Sequence, residues 1–508
     1  MRKTILNLLL LLFVSNLSFA QETTLTKKQM YKDFDQLVKI IEDCNVQLPV
    51  RKAVTGFDNL AEIKKLRKGI DTVTCDEGFK QLLKKGLTYV FDIHSSIDYN
   101  VYNFDNIVEI DTASIRRQYN EYYSMENIRN IEYNFFIKYF PISPTYYNGE
   151  YYFSSSTKYI NKSNIEDTIL FNDSKVKFIN KEHYSDHVIK NISNYYYSDN
   201  RFDFKNNKYY SHASLIPNNS VITIEQNGKI KEIDLKEYKM LSVGSFIDNI
   251  YDDIKKRESK ENNGVSYFNR DSILYIYLNN MYEGEFLVNL KDTCKDKVIN
   301  KIVIDVRENK GGSDKIWMDL LTLIIADSIP FTKNIVCFDN DLTREKLDFY
   351  KEYLSKTNIN WITKKTLLTI SDNSYLVADS NSLNYKGKIY ILQNENVYSA
   401  AHSLTSYAKQ VDNIISVGTP TGLMAGFGLV APLFQLQNSK FTFRLTCFID
   451  ITNVSQVKDI YQDFPEVQVE LSLDEYFRYY NDKEIYDTKS EEYLYKYDSM
   501  FKKILELK

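Results

Sequence analysis

The chain has 508 residues, of which 43% are hydrophobic and 26% are charged, as is usual for a folded globular protein. One ordinary hydrophobic core does not extend over this length, so we expect two or three domains. The formal net charge of −4 argues against a nucleic-acid partner, because such proteins usually carry a strongly basic surface.

Residues 1–20 have the pattern of a secretory signal peptide. Arg2 and Lys3 precede a long apolar run, and Ala20 is the small residue that a signal peptidase requires. The apolar run is short for a membrane span, so we expect cleavage, with an uncleaved membrane anchor as the alternative. Gln21 rather than a cysteine follows, which leaves no lipid attachment site. The expected mature protein is periplasmic or extracellular and has no membrane span.

Residues 21–115 are expected to form an N-terminal helical region. Apolar residues recur at three- and four-residue spacing in "KKQMYKDFDQLVKIIEDC" and in "CDEGFKQLLKKGLTYVF". The cysteines form no CxxC pair, so no zinc or redox motif is expected. A disulfide between Cys44 and Cys75 is compatible with an oxidising compartment, but the sequence does not establish it.

Residues 140–240 are expected to form a β domain rich in tyrosine and asparagine. The segment "SVITIEQNGKIKEIDL" alternates around Asn227 and Gly228, which predicts a β-hairpin. His183 and His187 are four residues apart, but no third ligand is evident and no metal site is expected. A charged segment at 255–264, "KKRESKENNG", indicates a linker.

Residues 245–475 show the pattern of an α/β domain. The compact apolar runs "SILYIYL", "KIVIDV" and "GKIYILQN" are typical of buried strands in a parallel or mixed sheet. They alternate with the helical segments "DKIWMDLLTLIIAD" and "SAAHSLTSYAKQV". Residues 476–508 are expected to form a helical tail, whose last stretch predicts a surface helix.

Ser399 stands between a predicted strand and a predicted helix in "QNENVYSAAHSLTSYA". A serine there is either a helix N-cap or a nucleophile, because the backbone N–H groups of a helix start are free to hold an anion. A second strand-to-helix turn, "KIVIDVRENKGGSDKIWMDLL", contains Gly311 and Gly312. These glycines are either part of a plain turn or present N–H groups to a ligand.

Together, these segments resemble the tail-specific, or carboxy-terminal processing, serine peptidases and the related tricorn core. Residues 305–312, "DVRENKGG", are similar to the family's Asp-x-Arg-x-Asn-x-Gly-Gly, and residues 399–401 to its Ser-Ala-Ala. "VGTPTG" and "FPEVQV" approximate two later motifs of the family, in the same order. The resemblance implies a core of crotonase-like and Clp-like ββα units and a peptidase activity with no cofactor or metal.

The resemblance also implies a general base. One branch of the family uses a lysine after the Val-Gly-x-x-Thr motif, but "TGLMAG" contains none, and neither Lys409 nor Lys440 fits that motif. The tricorn-like branch uses a histidine far upstream, and "FDIHSSI" provides His94. His402 is the alternative, although it starts so close to Ser399 on one helix that its side chain should point elsewhere.

The remaining roles follow the tricorn-like branch. Its acid, which orients the histidine, corresponds to Asp459, with Asp463 as the alternative. Backbone N–H groups of Gly311 or Gly312 and of Ala400 are expected to hold the oxyanion.

The segment "SNIEDTILFNDSKVKFI" resembles part of a divergent PDZ domain, which predicts a peptide or protein substrate recognised by its C-terminus; an unrelated β insert is the alternative. The second functional hypothesis is a catalytically inactive, peptidase-like protein that binds peptides, because several of these motifs are eroded. The sequence does not predict an oligomeric state.

Overall fold

The computed structural model describes residues 25–92, 94–97, 139–140, 144–153, 158–161, 168–171, 174–191, 200–203, 205–211, 216–217, 219–240, 263–282, 284–347, 354–359, 362–421, 431–482 and 486–507. The expected signal peptide, nearly all of the charged linker and the segment "GLMAGFGLV" at 422–430 lie outside these ranges. Among the described residues, no helix combines the length and the apolar character needed to cross a membrane.

The N-terminal region is helical, as predicted. It contains α1 (Lys27–Cys44), α2 (Gln47–Thr55), α3 (Asn59–Lys65), a 3-10 helix (Leu66–Thr72) and α4 (Asp76–Thr88). Thr26 and Gln29 form a capping box at the start of α1. The apolar faces of these helices share one core with Val336 and Leu368 of a later sheet and with Phe443 of a later hairpin. The helices are therefore packed onto the downstream chain.

The middle region is a β-rich unit with a core of its own. Its main sheet has the order β12-β11-β6-β3-β2, with β7 beside β6 and helix α5 (Tyr184–Lys190) packed against it. The bounds of these strands are β2 Thr145–Tyr147, β3 Glu150–Phe153, β6 Ser174–Ile179, β7 Glu182–His183, β11 Val221–Gln226 and β12 Lys229–Asp234. Asn227 and Gly228 both have positive φ, 51° and 71°, as the predicted hairpin turn between β11 and β12 requires.

Short strands complete this region. Their pairs or sheets are β1 with β10, β13-β4-β5, and β8 with β9. Their bounds are β1 Tyr139–Phe140, β4 Lys158–Asn161, β5 Thr168–Leu170, β8 Asn200–Asp203, β9 Lys208–Ser211, β10 Ile216–Pro217 and β13 Tyr238–Met240.

The α/β core contains a six-stranded sheet of order β14-β15-β16-β20-β21-β25. Strand β14 is antiparallel to β15, and every other neighbouring pair is parallel. The strands are β14 Gly264–Phe268, β15 Ile273–Tyr277, β16 Lys301–Asp305, β20 Ile389–Gln393, β21 Ile414–Gly418 and β25 Val467–Gln468. Helices α7 (Asp314–Ile324) and α9 (Ala400–Ala408) bury one face of it. The predicted α/β class is confirmed.

A second sheet, β18-β19-β17-β24, packs against the N-terminal helices. Its strands are β17 Ile329–Phe338, β18 Leu354–Thr357, β19 Leu367–Leu376 and β24 Ile449–Asp450, and a hairpin of β22 Leu433–Gln435 and β23 Thr442–Arg444 lies near it in the chain. Among the described residues, the remaining helices before the tail are α6 (Asn289–Cys294), which follows a 3-10 turn, α8 (Asp341–Lys346) and α10 (Val457–Tyr461).

The C-terminal tail is helical but is not a single surface helix. It consists of α11 (Leu473–Asp482), α12 (Glu491–Tyr497) and α13 (Ser499–Glu506). Leu494, Phe501 and Ile504 are fully buried and cover the second face of the six-stranded sheet. The apolar side chains of this stretch are therefore used for packing, which the sequence expectation of a surface helix missed.

Candidate active site

Ser399 lies at the point where the loop after β20 turns into α9. Its backbone has φ 53° and ψ −125°, a conformation that non-glycine residues seldom adopt and that costs energy. Its side chain makes no capping hydrogen bond with the helix, so the N-cap interpretation does not hold. The turn instead leaves the hydroxyl free for another partner, as at the strained elbow that carries the nucleophile in other hydrolases.

His94 is that partner. Its Nε2 atom lies 3.4 Å from Ser399 Oγ, although the two residues are 305 positions apart in the chain. The His94 loop follows α4 and is anchored to the core by paired backbone hydrogen bonds between Ser96 and Arg444, of 3.1 and 2.8 Å. The packing of the N-terminal helices therefore brings the imidazole to the serine.

Asp92 is the carboxylate beside His94. Its Oδ1 atom lies 3.5 Å from His94 Nδ1 and accepts a hydrogen bond of 2.9 Å from the His94 backbone N–H. Ser95 Oγ donates to the other carboxylate oxygen at 3.2 Å. Burial by itself raises the pKa of Asp92, but the interactions with His94 and Thr446 together outweigh it and the pKa is lowered overall. Asp92 is therefore a buried anion next to the imidazole.

Tyr398, the residue before Ser399, lies between these groups. Its hydroxyl donates to Asp92 Oδ1 at 2.9 Å and is 3.1 Å from His94 Nδ1. Its ring stacks on the imidazole, with centroids 5.1 Å apart and an interplanar angle of 21°. No sequence motif points to Tyr398 or Asp92, although Tyr398 precedes Ser399 and Asp92 lies two residues before His94.

The turn after β16, which contains Gly311 and Gly312 and is called the glycine turn below, contacts Ser399 from the other side. Because β16 and β20 are adjacent and parallel, the turns that follow them emerge at the same edge of the sheet. Gly311 has φ +97°, and a Cβ atom built on it would lie 2.5 Å from Ser399 Cβ and 2.8 Å from the Ala400 nitrogen. Only a glycine fits this contact.

The predicted oxyanion donors differ in whether their backbone N–H groups have an acceptor among the described residues. The Gly311 N–H donates to Asn309 Oδ1 at 2.8 Å, so it is not free for an oxyanion. The N–H groups of Gly312 and Ala400 donate to no acceptor among the described residues. Of the three predicted oxyanion donors, Gly312 and Ala400 are therefore the ones whose N–H groups are available.

The structure does not bring Asp459 to His94. The Asp459 carboxylate accepts hydrogen bonds from the backbone and hydroxyl of Ser455 and from the Gln456 backbone, at 2.7 to 3.1 Å. It caps the short helix α10, because its position three residues after Gln456 suits a capping box. The family resemblance implied an acid from the segment before "FPEVQV", whereas the acid beside His94 comes from the histidine's own loop.

The two alternatives, Asp463 and His402, lie together instead. His402 Nε2 is 3.7 Å from Asp463 Oδ2, and Asp463 also binds Lys409 and accepts from Thr405 at 3.0 Å. Burial lowers the pKa of His402, which keeps this imidazole neutral. His402 makes no hydrogen bond with Ser399, so it is not placed as the base.

The remaining sequence expectations concern metals and thiols. No group of three or more potential ligands that could hold a metal occurs among the described residues, and His187 pairs with Glu182 at 3.3 Å. Cys44 and Cys75 are both free thiols, so the structure contains no bridge between them.

Comparisons with known proteins agree with the resemblance seen in the motifs. Residues 272–459 match peptidase family S41, and this stretch includes the glycine turn and Ser399. These residues form an S41 peptidase domain. No curated protein sequence matches the chain.

Solved structures are similar to the chain to different degrees. Mature CPAF complexed with lactacystin has a TM-score of 0.50 and 12% identity, with 90% of this chain and 97% of that chain covered. The photosystem II D1 C-terminal processing protease has a TM-score of 0.34 and 10% identity, with 87% and 93% covered. The tricorn protease has a TM-score of 0.35 and 13% identity, with 90% and 35% covered. At this identity, the similarity to CPAF concerns the fold.

Arg307, the arginine of the "DVRENKGG" segment, is buried. Arg307 pairs with Asp305 at 2.6 Å and with Asp498 of the tail at 2.6 Å, and all three side chains are almost fully buried. Tyr275 donates a further hydrogen bond of 2.7 Å to Asp305. The turn that contacts Ser399 is therefore held by an ion-pair network that reaches the C-terminal helices.

Proposed function

We propose that this protein is a secreted serine peptidase that hydrolyses peptide bonds through a covalent acyl-enzyme on Ser399. The observation that carries the proposal is the 3.4 Å approach of His94 Nε2 to Ser399 Oγ in a chain with an S41 peptidase domain. A serine hydroxyl is a weak nucleophile at neutral pH, and a base within hydrogen-bond reach activates it.

In the first step, Ser399 Oγ attacks the peptide carbonyl carbon while His94 Nε2 takes the hydroxyl proton. The carbonyl oxygen becomes an oxyanion, which the free N–H groups of Gly312 and Ala400 stabilise. His94 then protonates the leaving amine, and the bond to the peptide nitrogen breaks. A water molecule, deprotonated by His94, then attacks the acyl carbon; the bond to Ser399 Oγ breaks, His94 returns the proton to Oγ, and the carboxylic acid product leaves.

Asp92 takes the role of the acid in this proposal. As a buried anion beside the imidazole, it favours the imidazolium that forms during both steps. Asp459 has no part in the mechanism, because its carboxylate caps α10.

The substrate class is a peptide or protein. Recognition of a substrate C-terminus would be a task of the PDZ-like β region, in which β6 and β11 form the centre of the sheet. The first residues of the PDZ-like segment, 163–167, lie outside the described residues. Secretion, which rests on residues 1–20, is part of the same proposal.

The test is labelling of the purified mature protein with a fluorophosphonate probe. We expect the wild type to label and both Ser399→Ala and His94→Ala to lose labelling, because one lacks the nucleophile and the other its base. Ser403→Ala is the matched control, since it removes a hydroxyl one helical turn further along α9 and should label like the wild type.

The second candidate, an inactive protein that binds peptides, predicts a different result. A wild type that is well folded by circular dichroism and still does not label would contradict the peptidase proposal. If His94→Ala still labels, Ser399 is an activated nucleophile but His94 is not its base.

A further inference from the structure

The Tyr398 hydroxyl lies between His94, the proposed base, and Asp92, the acid beside it. The direct distance from His94 Nδ1 to Asp92 Oδ1 is 3.5 Å, beyond the range of a good N–H···O hydrogen bond. The Tyr398 hydroxyl is closer to each of them, at 3.1 Å from His94 Nδ1 and 2.9 Å from Asp92 Oδ1. Tyr398 is 1% exposed, so its hydroxyl is withdrawn from bulk water.

The proton count of these groups decides the direction of each hydrogen bond. An ionised carboxylate only accepts, so the single proton of the Tyr398 hydroxyl points to Asp92. The phenol oxygen must then accept from His94 Nδ1, which therefore carries a proton. In the neutral imidazole, this leaves the lone pair of Nε2 facing Ser399 Oγ, as a general base requires.

We propose that Tyr398 is a positioning residue that sets the tautomer of His94 and connects its imidazole to Asp92. The inference rests on the proposed peptidase function and adds a residue to it. When His94 takes the Ser399 proton on Nε2, the imidazolium is stabilised by the chain of hydrogen bonds from Nδ1–H to the phenol oxygen and from the phenol O–H to Asp92. No proton moves beyond Nε2, and Tyr398 keeps its own proton throughout.

The backbone of Tyr398 fits this role. Its N–H donates to the Asn309 carbonyl at 3.1 Å, and its carbonyl accepts from Ala401 at 3.2 Å. The phenol is thus fixed by the same turn that fixes Ser399, so the nucleophile and the orienting group move together. Partners that orient a metal-bound histidine change activity by about 10- to 100-fold when removed, and we expect a loss of the same order for this imidazole.

The experiment compares Tyr398→Phe with Tyr407→Phe. Both remove one buried hydroxyl near α9, but the Tyr407 hydroxyl donates to the Pro330 carbonyl at 2.7 Å. The rate constant of fluorophosphonate labelling is measured from pH 5 to pH 9. We expect Tyr398→Phe to label about 10- to 100-fold more slowly, with the acidic limb of its pH profile displaced to lower pH, because the imidazolium loses its acceptor. Tyr407→Phe should retain the wild-type rate and profile.

Two results would overturn the inference while leaving the peptidase proposal intact. One is a Tyr398→Phe variant that labels with the wild-type rate and pH profile. The other is found in the wild type itself, so it does not depend on the folding of any variant. Nitrogen-15 spectra of histidine-labelled protein, assigned with His94→Gln, should show the Nδ1–H tautomer, and an Nε2–H tautomer contradicts the proposal. Absence of wild-type labelling would instead count against the peptidase function.

Discussion

At the scale of single residues, the site depends on backbone conformations that side chains do not usually allow. Ser399 has positive φ, and Gly311 faces it at a distance that leaves no room for a Cβ atom. The carbonyl of Asn309 accepts from the Tyr398 N–H and joins the two turns, while its side-chain oxygen accepts from the Gly311 N–H within its own turn. The position of Ser399 therefore depends on the absence of a side chain at Gly311.

Gly311→Ala tests this close contact. The added methyl group would meet Ser399 Cβ at 2.5 Å in a backbone with φ +97°, so the turn must move. Because displacements of about 1 Å in an active site can cost about 100-fold in rate, we expect labelling by a fluorophosphonate to fall by at least that factor.

Gly228→Ala is the control for Gly311→Ala. Gly228 also has positive φ, +71°, but a Cβ atom there meets nothing within 4 Å. We expect it to lose about 1 to 2 kcal/mol of unfolding free energy and to label normally. Equal labelling of Gly311→Ala and the wild type would show that the contact does not position Ser399.

At the scale of elements, the sequence predicts the α/β core well. The strands β15, β16 and β20 and the helices α7 and α9 follow from apolar runs and periodicities that are local in the chain. The burial of the C-terminal tail is harder to predict from sequence, because its apolar pattern is interrupted at Asp498. Phe501 and Ile504 are buried because they pack against the second face of the six-stranded sheet.

Asp498→Asn tests the attachment of the tail helices. Asp498 pairs with Arg307 in a buried network and also accepts from the Phe501 N–H at 2.9 Å, capping α13. Asparagine keeps the cap but removes the charge. Leaving part of a buried guanidinium charge uncompensated is expected to cost about 3 to 5 kcal/mol in the free energy of unfolding, measured by chemical denaturation.

Glu506→Gln, on the same helix, is the matched control for Asp498→Asn. Its pair with Lys503 is exposed, so the loss should stay below about 1 kcal/mol. If both variants unfold at the same denaturant concentration, the buried pair does not hold the tail.

At the scale of the whole molecule, the site is assembled from distant parts of the chain. Ser399 and the glycine turn could be selected from sequence, because each lies in a compact motif after a strand. His94 required a resemblance to a family, since nothing local connects it to a serine 305 residues away. Asp92 and Tyr398 could not be selected, because their contacts exist only after the N-terminal helices pack on the core.

Asp33 is the place where this packing can be tested. It lies in α1, is fully buried, and accepts hydrogen bonds of 2.6 to 2.9 Å from Asn438 and Ser439 of the core. Burial by itself raises the pKa of Asp33, but these hydrogen bonds outweigh it and lower the pKa overall. A carboxyl whose pKa is lower in the folded state stabilises the protein above its unfolded pKa of about 4, and this contribution disappears as pH falls through the folded pKa.

Asp33→Asn should therefore destabilise the protein at pH 7, by about 1 to 3 kcal/mol, and by progressively less below pH 4. The measurement is urea denaturation of wild type and variant at several pH values. Asp35→Asn is the control, because Asp35 lies on the same helix but pairs with Arg67 on an exposed surface. Its effect should remain below about 1 kcal/mol. A difference for Asp33→Asn that stays constant from pH 7 to pH 3 would mean that the charge does not join the helices to the core. A pH-dependent difference, together with slower fluorophosphonate labelling of Asp33→Asn at pH 7, would show that the contact of Asp33 with Asn438 and Ser439 helps to position His94 next to Ser399.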